Sequence, residues 1–156
     1  MAKTMDVHEI VSGAEAECFI TIAGRRYNFA NAKSLEATVE KTKTQLPILG
    51  KRSKANKTTS LEYKGSATLY YNTSVLREAM YTYKMTGVDL YAEVQVTNYD
   101  PTTNIGRQTV TLLGVNFNSV VLAKFDIDSD DALSEDVEFT FEDFEMPEKF
   151  ALLQSM

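Results

Sequence analysis

The chain is poor in the residues that carry most protein chemistry, with a single His, His8, and a single Cys, Cys18. Ser-His-Asp triads, Cys–His dyads and zinc centres each need several such groups in defined roles, so these two residues leave almost no room for them. A lone Cys also forms no intrachain disulfide. His8 lies in a polar segment with no nucleophile beside it in sequence. Carboxylates remain. Asp126, Asp128 and Asp130 stand at positions 1, 3 and 5 of a calcium-loop template, but position 6 is Asp131 where the turn needs Gly, and position 12 is Val137 where a bidentate Glu belongs. A solvated acidic turn is therefore expected, and an enzyme built on these carboxylates around a metal is the weakest functional reading. Gly50-Lys51 is not followed by Ser or Thr and lacks the upstream Gly of a phosphate-cradling loop. Tyr63, Tyr70, Tyr71, Tyr81, Tyr83 and Tyr91, with Lys54, Lys57 and Lys64, imitate a surface that stacks single-stranded nucleic acid. A net charge of −6 and a pI near 4.8 oppose that use. No catalytic, cofactor-binding or metal-binding residue is expected, and the chain reads as non-enzymatic.

The residues that stand out instead point to association. Lys43 to Lys57 breaks the alternation on either side of it and places an apolar island, Leu46, Pro47, Ile48 and Leu49, among Lys43, Lys51, Arg52, Lys54 and Lys57. A connection that long inside a compact domain normally serves function or is disordered. A purely solvated loop has no need of three large apolar side chains in four positions, so these nine residues are expected to contact another subunit. Residues 1–64 hold 11 Lys/Arg against 7 Asp/Glu, whereas residues 65–156 hold 5 against 15. Oppositely charged halves suit head-to-tail contact between identical copies.

The elements that must position this segment are mostly strands. Cys18 to Ala23 and Arg26 to Phe29 alternate around Gly24-Arg25, which predicts a hairpin. In Leu35 to Lys41, Leu35, Ala37 and Val39 face one way and Glu36, Thr38 and Glu40 the other, the period of a half-buried strand. Strand character returns over Thr58 to Tyr71, with Gly65 marking a bulge or a close approach. Val75, Leu76, Ala79, Met80 and Tyr83 form one helical stripe, with Thr73 or Ser74 as N-cap and Gly87 as stop. Further strands are predicted at Val88 to Asn98, Gln108 to Asn118, Val120 to Asp126 and Asp136 to Phe144. In the last, Val137, Phe139 and Phe141 point inward, while Asp136, Glu138 and Glu142 form an acidic outward face suited to an interface. Pro147 is expected to open a short helix through Leu153.

About eight strands around one helix describe a mainly β fold, a β-sandwich or open barrel with one long extended loop. The length of 156 residues suits a single domain over 1–156, with an inter-subunit arm at about 42–58 and a short C-terminal segment at 146–156. No apolar stretch is long enough for a membrane anchor, and Met1 to Gly13 does not read as a secretory signal.

Four segments together resemble the tail tube proteins of contractile phages, defective prophages and R-type bacteriocins of Gram-positive bacteria. They are Lys33 to Lys41 (KSLEATVEK), Gln95 to Gln108 (QVTNYDPTTNIGRQ), Leu122 to Asp128 (LAKFDID) and Asp136 to Glu142 (DVEFTFE). The resemblance implies a β-sandwich subunit whose hexameric rings stack into a hollow tube inside a contractile sheath, which drives the tube through a bacterial envelope. It assigns the long early loop, here Lys43 to Lys57, to contact with an adjoining subunit or ring, and it turns polar strand faces such as that of Asp136, Glu138 and Glu142 toward the lumen. It also implies partners: the sheath protein, baseplate and tail terminator proteins, a tape measure protein, and DNA that passes the lumen without specific binding. Assembly in the host cytoplasm, into a virion tail or a released bacteriocin particle, follows from the same resemblance. A non-polymerising ring or adaptor of a tail or secretion apparatus is the alternative.

Overall fold

The computed structural model describes residues 5–29 and 32–153. Eight strands follow one another as β1 (Ala16–Ile22), β2 (Arg25–Asn28), β3 (Ala32–Leu46), β4 (Ala55–Tyr70), β5 (Ala92–Tyr99), β6 (Arg107–Phe117), β7 (Ser134–Thr140) and β8 (Asp143–Glu148). Helix α1 (Val75–Thr86) sits between β4 and β5, and a single 3-10 turn, Val7–Glu9, precedes β1. The strands pair antiparallel in the order β2-β1-β5-β6-β7-β4-β3, with β8 also on β6.

The fold turns on β6. Its residues Arg107 to Val115 pair with β5, Thr109 to Leu113 pair with β8, and its last two residues pass over to β7 as Asn116–Thr140 and Phe117–Phe139. The sheet therefore closes over on itself into two layers. Ile20 and Ile22 of β1, Ala92 and Val94 of β5 and Leu112 and Val115 of β6 meet Ala67 and Leu69 of β4 and Val137 and Phe139 of β7 in one core. Phe139 stacks edge-on to Phe117 at 5.7 Å and lies 6.3 Å from Phe141. This agrees with the expected mainly β sandwich or open barrel.

Local rules account for the joints. β1 and β2 pair Ile22 with Arg25, which leaves Ala23-Gly24 as a two-residue turn with φ of 52° and 80°. Positive φ at both positions is the geometry that matches the twist of the flanking strands. Gly65 is a close approach: a Cβ there would come within 2.8 Å of the Glu36 carbonyl oxygen and closer still to the Phe139 ring. Helix α1 starts after Ser74, where Thr73 Oγ1 accepts the Val75 N–H at 3.4 Å, and ends at Gly87, whose φ of 72° lets its N–H reach Tyr83 O at 2.8 Å.

Three expectations are corrected. The segment read as a loop over Lys43 to Lys57 is strand at both ends, Lys43 to Leu46 and Ala55 to Lys57: β3 and β4 stay paired from Ala37–Gly65 out to Leu46–Ala55, so the arm is a two-stranded ribbon closed by a loop over 47–54. Its outer half has no buried face, and so the sequence there carries no apolar period to betray it. Val120 to Asp126 is not a strand, because among the described residues no neighbour pairs with it. Pro147 lies inside β8 rather than at the head of a helix, and residues 149–153 are not helical. Proline is tolerated on an edge strand, since its missing N–H can face away from the partner. Residues 154–156 of the expected C-terminal segment lie outside the described residues.

Candidate assembly interface

The ribbon departs from the core in steps. Leu35 and Ala37 pack on the buried cluster opposite Ala67 and Gly65, whereas Val39, next on the same face and opposite Tyr63, is already exposed. Tyr63 marks the root, with its ring 5.2 Å from Phe141 and 6.0 Å from Phe144. Beyond it, Lys41–Leu61 to Leu46–Ala55 extend outside the core, with a register shift at Thr42/Lys43 where Thr59 Oγ1 donates to Thr42 O at 3.1 Å. β-Branched Thr supports strand here without burial.

At the tip Pro47 ends the pairing, since it has no N–H to donate. The Lys51 N–H closes a turn onto Ile48 O at 3.1 Å, with Gly50 at φ 84° in the third position. A positive φ there belongs to a type II turn and favours Gly. The turn lifts Leu49 to the apex, fully solvent-exposed at 104%, flanked by Leu46 at 42% and Ile48 at 40%. Lys43, Lys51, Arg52, Lys54 and Lys57 are exposed around it, and among the described residues none of them forms an ion pair. No Asp or Glu stands between Glu40 and Glu62. The nine residues singled out from sequence are thus gathered on the outer ribbon: an apolar apex in a basic collar.

The other face of the same strands is acidic. Strand register puts Glu36 and Glu40 of β3, Glu62 of β4 and Asp136 and Glu138 of β7 on the side away from the core, with Lys64 among them. Lys64 Nζ lies 3.1 Å from Glu40 Oε1, and that bond holds the amine above the ordinary lysine range. Asp136 Oδ1 accepts the Thr68 hydroxyl at 2.7 Å. Glu142 stands on the bend between β7 and β8, its side chain laid over Gly114 of β6, where a Cβ would come within 3.0 Å of it. The outer edges of β2 and β3, at the two ends of the sheet order, pair with no strand among the described residues. Such edges invite pairing with another chain.

The groups weighed for catalysis are placed otherwise. His8 lies in the 3-10 turn, its backbone N–H donating to Asp6 Oδ1 at 3.2 Å. Cys18 is on β1, where burial pushes the thiol up to about 11 and keeps it protonated at neutral pH. Asp126 Oδ1 accepts the Asp128 N–H, and Ser129 Oγ accepts the Asp131 N–H; among the described residues no group of three or more metal-ligating side chains converges. The tyrosines are dispersed, with Tyr81 and Tyr83 on α1, Tyr91 before β5 and Tyr63 in the ring cluster. No described helix is long and apolar enough to cross a membrane.

Sequence reasoning missed one buried ion pair. Arg77 Nη1 of α1 lies 3.0 Å from Glu135 Oε2 of β7, donates also to Val121 O at 3.1 Å, and its guanidinium stacks 4.3 Å over the Tyr71 ring. Arg77 further donates to Thr73 O. Glu135 precedes the alternating stretch by one residue, and only its position among inward-facing neighbours could have revealed its burial.

Known proteins share this architecture. A family model described as phage tail tube protein matches residues 3–148. The phage-like element PBSX protein XkdM of Bacillus subtilis (strain 168) is 40% identical over 141 residues, covering 90% of this chain and 92% of its own length. Among solved structures, a chain of the sheath–tube complex of the extracellular contractile injection system PVC, in its extended state, superposes with a TM-score of 0.62 at 9% identity, covering 92% of this chain and 90% of that one. A chain from the sheath/tube terminator of the same system gives 0.63 at 9% identity, covering 94% and 98%.

Proposed function

Since the chain belongs to the phage tail tube protein family, we propose that it is the tube subunit of a contractile tail: hexameric rings of it stack into a hollow conduit that a contracting sheath drives through a bacterial envelope. The observation that carries this reading is the β3–β4 ribbon, which leaves the core and ends in exposed Leu46, Ile48 and Leu49. An apolar apex on a stiff two-stranded arm gains nothing in an isolated subunit and gains burial in a stack. Closing a ring offers the exposed edges of β2 and β3 partners without open-ended aggregation. The acidic outer face of β3, β4 and β7, with Asp136 and Glu138, suits the bore. Like charge keeps DNA phosphates from adhering as they pass.

Around the tube this reading places a sheath, baseplate and terminator proteins, and a tape measure protein within, all assembled in the host cytoplasm. The chain acts as a structural part and catalyses nothing. The terminator likeness motivates one competing reading, a single ring or adaptor that does not polymerise. Negative-stain microscopy of the purified chain at rising concentration distinguishes the two. Hollow tubes of increasing length support the tube subunit; discrete single rings support the adaptor, and persistent monomers contradict both.

A further inference from the structure

We infer that the ribbon tip of one copy docks on the extended segment 121–131 of the next copy in the stack. This rests on the tube-subunit reading and names the surface that each tip meets. The segment joins β6 to β7 without a strand partner among the described residues. It exposes Leu122 at 73%, Phe125 at 88% and Ile127 at 91%. Large apolar side chains in such density, on a segment outside the sheet, mark a contact surface. Asp126, Asp128, Asp130 and Asp131 are interspersed with them and follow them, and the one cation, Lys124, is turned to Ser134 O at 2.7 Å. The tip has the same two ingredients with the charge inverted: Leu46, Ile48 and Leu49 beside Lys51, Arg52 and Lys54. Apolar contact supplies attraction and the opposed charges supply orientation and register.

Strand register decides that the contact must be between copies. The tip adjoins Ala55, at the start of β4, whereas the segment is tied down at the far end of that strand. There Tyr70 pairs with Ser134, Tyr71 Oη donates to Leu122 O at 3.3 Å and Arg77 Nη1 donates to Val121 O at 3.1 Å. At roughly 3.3 Å per residue the two ends of β4 stand about 50 Å apart. A subunit cannot reach its own segment, but copies arranged head to tail can. Joining unlike surfaces in this way leaves a free tip at one end and a free segment at the other, so the stack continues to grow.

Charge reversal on the full-length chain tests this, with assembly followed by pelleting and electron microscopy and folding checked by circular dichroism. Asp126→Lys with Asp128→Lys, and separately Lys51→Glu with Arg52→Glu, should each raise the concentration needed for tube growth by about tenfold or more. All four changes in one chain should bring it back to within about threefold of the original. Should a reversed segment fail to fold, the milder pair Asp126→Asn and Asp128→Asn serves, with an expected rise of about threefold. Segment variants that elongate as the original chain does overturn the inference, as does a quadruple variant no better than either parent. Normal tubes that no longer take up sheath also overturn it, by giving the surface to the sheath. An original chain that forms no tubes overturns the tube-subunit reading with it, whereas normal tubes from all variants overturn the docking alone.

Discussion

Replacing Leu46, Ile48 and Leu49 together by Ser removes the apolar apex while leaving the ribbon and its cations in place. Full burial of an aliphatic side chain stabilises by about 2 kcal/mol. Leu49 at 104% exposure has all of that still to gain, whereas Leu46 and Ile48, at 42% and 40%, have less than half. The three therefore offer about 3.5 kcal/mol per subunit, and about 2 kcal/mol once the ordering of their side chains is subtracted. That corresponds to roughly a 30- to 300-fold rise in the concentration needed for assembly. The subunit itself should unfold as before, since none of the three belongs to the core. Pelleting across a dilution series measures the threshold, and negative stain measures tube length. An unchanged threshold with tubes of ordinary length refutes the reasoning, because the apex would then be buried by nothing.

Other consequences are equally specific. Arg77→Met leaves Glu135 buried without its cation and should cost about 3–5 kcal/mol in urea unfolding; adding Glu135→Leu should recover most of the loss. Gly65→Ala drives a methyl group into the Glu36 carbonyl oxygen, which is backbone and cannot yield, so a loss of about 1–3 kcal/mol is expected by the same measurement. Asp100 accepts the hydroxyl and N–H of Thr102 and the N–H of Ser12, and these bonds hold its carboxyl below the ordinary carboxylate range. With a folded pKa below the unfolded one, the stabilisation is present above the unfolded value and is lost as pH falls through the folded one. Amide exchange at Ser12 should therefore stay slow through mildly acidic pH and quicken only below the usual carboxylate range, whereas Asp100→Asn should remove that pH dependence.

The parts of the fold that were legible are those where one face is buried. Val137, Phe139 and Phe141 alternate with charged residues because β7 divides core from solvent, and the helix between Ser74 and Gly87 announces itself by its stripe and its stop. The outer ribbon hid because it is exposed on both faces: Lys and Thr alternate there with no apolar period, and strand pairing extends without burial. Leu122 and Phe125 misled in the opposite sense. The apolar residues of Val120 to Asp126 suggested a strand, but within a single copy Leu122 and Phe125, like Ile127 beyond them, cover nothing. The proposed association site showed in the sequence as composition, an apolar island among cations, while its geometry required the register of β3 on β4.

The most direct test of the account is a map of the assembled particle by electron cryo-microscopy, at a resolution that traces residues 42–58. The expected map shows a hollow stack of rings in which every ribbon crosses to another subunit and ends against apolar surface. A ribbon folded back on its own subunit, or one projecting into solvent within an otherwise intact tube, contradicts it.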